Sequence, residues 1–111
     1  MNSAPNVNDL ASRLPDGWFA SDPEHADLLH AELQRELPPG HLLFDVPVTV
    51  IAHREGTDDI LCRRKADPDR MTVVHLTWIG RTEINDKHPT VQVDGTFDDF
   101  LAYERQFGID C

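Results

Sequence analysis

The chain has 111 residues, 40% of them hydrophobic, which suffices for one modest core and argues against a second domain. Twenty acidic residues stand against ten basic ones, a formal net charge of −10 at pH 7. Such a field repels nucleic-acid backbones and anionic membranes, so neither is expected as a partner and a protein is.

Residues 1 to 20 are rich in Asn, Pro, Ser and Asp and read as a partly disordered N-terminal segment, with residues 21 to 111 as a single domain. The opening Met1-Asn2-Ser3-Ala4-Pro5-Asn6 has neither the basic nor the apolar region of a secretion signal. The longest nearly uncharged apolar stretch, residues 46 to 52, is far short of the roughly 20 residues a spanning helix needs. A cytoplasmic location is the expectation. Residues 8 to 14 allow a short helical turn before Pro15-Asp16-Gly17, and Trp18 and Phe19 then offer two large apolar groups to cover a core edge.

A strong helix begins at Ser21-Asp22-Pro23-Glu24: Asp22 caps, Pro23 suits the first turn and Glu24 complements the positive dipole end. Pro38-Pro39-Gly40 stops it. Ala26, Leu29, Leu33 and Leu37 recur at three- and four-residue intervals and form its buried stripe. From Phe44 the period changes to two. Val46, Val48, Val50 and Ala52 share one face of a strand, opposite Thr49, Ile51 and His53. Residues 55 to 58 read as a turn, 60 to 64 as a second strand, 66 to 69 as another turn, and 71 to 79 as a third strand. In the third strand Val74, Leu76 and Trp78 share a face, so Trp78 is expected in the core rather than as an exposed aromatic.

Residues 80 to 89 form a polar loop, and 90 to 94 suit only a short fourth or edge strand. Thr96 followed by Asp99 is a capping-box-like start to a second amphipathic helix through Phe97, Phe100, Leu101, Tyr103 and Phe107, with Gly108 as its stop. The expected fold is α+β: an antiparallel three- to four-stranded meander with two amphipathic helices packed on one face, in the order α-β-β-β-(β)-α.

The stretch from Ala52-His53-Arg54 through Asp58-Asp59-Ile60-Leu61 to Val74-His75-Leu76-Thr77-Trp78 resembles small bacterial proteins of unassigned function. These carry an Asp-Asp-hydrophobic-Leu hairpin and a Val-His-Leu-Thr-Trp strand. The resemblance spans roughly residues 28 to 101, including His41-Leu42 and the Pro89 and Phe97 region. It implies a compact bacterial cytosolic domain and carries over no catalytic residue.

His53, Cys62 and His75 fall one on each of three adjacent strands, and a register that placed them on one face would make a zinc site. A four-residue hairpin loop instead sets His53 opposite residue 60 and moves Cys62 away, so ordinary core-edge histidines and a buried cysteine are the expectation. Neither Cys62 nor Cys111 is expected in a disulfide, and no cofactor is expected. Asp58 and Asp59 beside His53 and His75 are low-ranking candidates for an acid-base pair, since a carboxylate can orient an imidazole. Turn chemistry, with Asp59 pairing Arg54 across the hairpin mouth, competes with that reading. Cys62 as a nucleophile ranks lower, because burial raises a thiol's pKa. Glu104 interrupts the apolar arc of the last helix and is expected to reach water along its stem.

Five of the ten basic residues lie between positions 54 and 70, balanced there by Glu55, Asp58, Asp59, Asp67 and Asp69, with which they are expected to pair. The net negative charge therefore belongs to the rest of the chain, and Asp27, Glu32, Asp98 and Asp99 on the two helices are expected to be solvated. With no glycine-rich phosphate loop, nucleophile elbow or strong metal spacing, the expected function is that of a binding or accessory protein, inhibitor- or immunity-like, acting on a basic protein partner. The alternative is a small enzyme or metal protein centred on His53, Asp59 and His75; a homodimer joined through the sheet face is a third reading.

Overall fold

The computed structural model describes residues 10, 12–78 and 89–109, with side chains through residue 106. In chain order the elements are β1 (Trp18–Ala20), α1 (Pro23–Glu36), β2 (Val48–Arg54), β3 (Asp59–Arg64), β4 (Met71–His75), β5 (Thr90–Gly95) and α2 (Phe97–Ile109). Residues 80 to 88 of the loop expected over 80 to 89, residues 8, 9 and 11 of the turn expected over 8 to 14, Ile79 and Cys111 lie outside the described residues.

Both helices begin as their sequences dictate. The Asp22 carboxylate accepts the His25 amide at 2.8 Å, Pro23 occupies the first turn, and Leu37 becomes extended ahead of Pro38. At α2 the exchange is reciprocal: the Thr96 amide donates to Asp99 Oδ2 at 2.9 Å and the Asp99 amide to Thr96 Oγ1 at 3.1 Å. The helix then runs through Gly108 to Ile109 rather than stopping at the glycine.

The strands lie in the order β1-β2-β3-β4-β5, each antiparallel to its neighbour. The expected meander thus becomes five strands, because Trp18, Phe19 and Ala20 pair with Arg54, His53 and Ala52 at one edge. Trp18 is buried with its ring edge-on to Phe100, centroids 5.1 Å apart, and Leu10 is buried in the same cluster. The expected N-terminal segment therefore contributes to the core and the sheet. β2 starts at Val48 rather than 44, since residues 41 to 46 are taken up by turns: the Phe44 amide donates to His41 O at 3.0 Å and the Val46 amide to Leu43 O at 3.0 Å. β4 ends at His75, earlier than expected.

The two helices do not share a face. Leu29, Leu33 and Leu37 pack with Val48, Val50, Ile60, Cys62, Val74 and Leu76. Phe97 and Phe100 pack with Ile51, Ala52, Leu61, Met71 and Val73. Successive strand residues point to opposite sides, so Leu61, flanked by Ile60 and Cys62, lies on the far face from both, and the sheet is a middle layer between α1 and α2. The physical cause is the run of apolar residues on both parities of each inner strand, as befits a sheet covered on two sides. A bulge completes the change: Val50 pairs with Cys62 but Ala52 with Leu61, leaving Ile51 as an extra residue. Beyond it every β2 side chain reverses its face, so Val48 and Val50 face α1 while Ala52 faces α2.

Candidate functional site

The α2 side of the sheet carries a polar cluster at the end marked by the β2–β3 turn. Register sets Asp59 opposite His75 on the neighbouring strand. Asp59 Oδ1 accepts from His75 Nδ1 at 2.8 Å and from Gln92 Nε2 at 3.0 Å, while Oδ2 lies 3.6 Å from Arg54 Nε. The Arg54 guanidinium also pairs with Glu104 and lies 5.3 Å over the Trp18 ring. Glu104 follows Phe100 by one helical turn, which aims its carboxylate at the sheet. It is buried, correcting the expectation that it reaches water. Two carboxylates thus share one guanidinium, and Glu104 Oε2 and Arg54 Nε are left without hydrogen-bond partners. Tyr103 feels the same charges: burial, then Glu104 and Asp59, push its phenol above the ordinary value, with Arg54 opposing.

A carboxylate only accepts, so the bond to Asp59 assigns the proton to His75 Nδ1 and leaves the lone pair of a neutral ring on Nε2. The ring is partly exposed. Chemically this is an oriented base. The surface clefts beside His30 and Lys65, beside Arg13 and Phe97, and beside Asp67 and Asp99 do not include it.

His53 is not part of this cluster. The bulge turns it to the α1 side, where its Nδ1 lies 2.9 Å from Ser21 Oγ and its ring 4.3 Å from that of His25, centroid to centroid. Burial and then the neighbouring His25 push His53 below its ordinary value, against Glu55 and Asp22. Cys62 is fully buried in the α1-side core, and burial pushes its thiol up to about 12, which removes it as a nucleophile at neutral pH. His53, Cys62 and His75 therefore do not converge; among the described residues no three His, Cys, Asp or Glu side chains are placed to hold a metal. Asp58 is exposed, and its carbonyl accepts the Leu76 amide at 3.0 Å.

Of the four acids expected to be solvated, Asp27, Asp98 and Asp99 are exposed, whereas Glu32 is buried and holds Arg35 at 2.6 Å. Asp27 has no partner among the described residues; on the opposite side of the sheet, Asp98 lies 3.2 Å from Arg13 and Asp99 caps α2. Arg54 lies beside Asp59 as expected, but Arg64 and Arg70 pair outside the stretch 54 to 70: both grip Asp94 on β5, and Thr72 Oγ1 donates to it at 2.7 Å. Burial alone would raise Asp94, but the bonds from Arg70 and Thr72 and the charge of Arg64 hold it below the ordinary carboxylate value.

One site escapes the sequence reading. Glu36, fully buried at the end of α1, accepts the Thr77 amide on Oε1 at 2.9 Å and the Trp78 amide on Oε2 at 2.7 Å. Burial and then its hydrogen bond with Glu32 push Glu36 above the ordinary value, against those amides. This capture ends β4 early and corrects the placement of Trp78, which is exposed and has a φ of 57°. Its signal was the three- and four-residue spacing from Leu29 and Leu33, which lands on Glu32 and Glu36 and so puts two carboxylates on the buried stripe.

Compared with known proteins, the chain matches no protein-family model, no curated protein and no solved structure.

Proposed function

We propose that the protein is a small binding or accessory protein that docks on a basic protein partner through an acidic surface, as an inhibitor or immunity protein does. The observation that supports this best is the internal use of the cations. Arg13, Arg35, Arg54, Arg64 and Arg70 are each held by a carboxylate of the same chain. Exposed acids such as Glu24 and Asp27 on the outer face of α1 have no such partner among the described residues, so their negative charge is directed at solvent. Affinity capture from the protein's own cells, at about 0.05 M and about 0.5 M salt, tests the reading, since screening across this range shortens the reach of surface charge. A basic protein retained at low salt and released at high salt is the expected result; retention of only neutral or acidic proteins, insensitive to salt, would refute it.

The Asp59–His75 hydrogen bond favours a second reading, an acid-base centre with His75 as the base and Asp59 as its orienting group. It would require a small molecule whose shift perturbations in NMR centre on His75 and disappear in Asp59→Asn.

A further inference from the structure

We propose that Trp78 is the docking residue for a cationic side chain, an arginine foremost, of the basic protein partner; this rests on the binding reading above. A bulky residue in the left-handed region is uncommon, and it persists only where surrounding structure holds it. Here a fully buried carboxylate does the holding, with one oxygen of Glu36 on each of two consecutive amides. The strain is not used to bury the side chain. Leu76, two residues earlier, is fully buried, whereas Trp78 is 41% exposed. The left-handed turn takes the chain out of β4 before the parity that buries Val74 and Leu76 can bury Trp78 as well.

The occupant follows from charge. An exposed indole face attracts cations through its quadrupole, and arginine is more weakly hydrated than lysine and stacks flat on such a ring. The chain carries a net charge of −10, and the carbonyl of the exposed Asp58 accepts the amide of Leu76, two residues before Trp78. A cation arriving there meets an aromatic face on a chain of negative net charge.

The test titrates the full chain at low salt with hexa-arginine and hexa-lysine peptides, by calorimetry and indole fluorescence. Wild type should prefer hexa-arginine; Trp78→Ala should weaken its binding by about threefold or more and erase the preference, and Trp78→Phe should keep part of it. Trp78→Gly should raise the Tm while abolishing the preference, because glycine adopts the left-handed conformation freely. Unchanged binding in Trp78→Ala, with loss in Glu24→Lys/Asp27→Lys, would overturn Trp78 as the docking residue and leave the acidic-surface reading standing. Absence of binding to either peptide by wild type would overturn both. A marked fall in Tm for Trp78→Ala and Trp78→Gly would make Trp78 a packing residue and overturn the proposal. So would a wild-type dimer in sedimentation that Trp78→Ala converts to monomer, since the occupant would then be a second copy.

Discussion

Two buried or half-buried groups make opposite contributions to stability as the pH changes. His53 has a folded-state pKa below its ordinary 6.5, so the folded chain resists protonating it. The stability it supplies is present above 6.5 and is lost as the pH falls from there through the folded value. Glu36 has a folded-state pKa above its ordinary 4.5, so the folded chain holds that proton more tightly, and stability declines as the pH rises from 4.5 through the folded value. Urea unfolding across this range should show wild type losing ground to His53→Gln on acidification and losing ground to Glu36→Gln on the alkaline side. The same slope in both comparisons would contradict one assignment. The cluster at Asp59 gives a second expectation. Asp59→Asn should cost about 1–3 kcal/mol, because it leaves Arg54 and the two Oδ1 donors with poorer partners. His75→Gln, on the exposed side of the same bond, should cost less than about 1 kcal/mol.

At the scale of elements, the division of the core predicts independence. Leu33 on α1 and Phe100 on α2 are both fully buried, in clusters on opposite sides of the sheet. Leu33→Ala should cost about 2–5 kcal/mol and Phe100→Ala about 3–5 kcal/mol. Their double mutant should be additive within about 0.5 kcal/mol, since no partner is shared. Strong coupling between them would mean one core rather than two. The elements also show what local chemistry carries. Asp22-Pro23 and Thr96-Asp99 mark helix starts by bonds made within three residues, so both starts were legible. Coverage of both sheet faces was legible in principle too, in the unbroken runs Val50-Ile51-Ala52 and Ile60-Leu61-Cys62. The bulge at Ile51 was not, because a register shift depends on the partner strand and reverses every later side chain without a mark of its own. The pairing of Arg54 with Asp59 was legible from the hairpin, whereas that of Arg54 with Glu104 was hidden for a related reason: the two are 50 residues apart, and no spacing rule links a strand end to a helix face.

For the whole molecule, the sheet separates two charged sides, and this decides how a partner approaches. Glu24 and Asp27 lie on the outer face of α1 and pair with no cation among the described residues. On α2, the exposed Asp98 is paired with Arg13, which offsets its charge, and the exposed Asp99 bonds the backbone of its own cap. Steering acts mainly on the association rate and is strongest from charges that are free and solvated. Glu24→Lys/Asp27→Lys should therefore slow association with the captured partner and flatten its dependence on salt, with little change in dissociation. Reversal of Asp98 alone should leave the association rate within about twofold, since a single peripheral charge is screened at physiological salt. Stopped-flow measurements over a range of ionic strengths compare the two. If the Asp98 reversal is the one that slows association, the partner approaches over α2, and the partly exposed Arg54 and His75 of the polar cluster become part of the surface it meets.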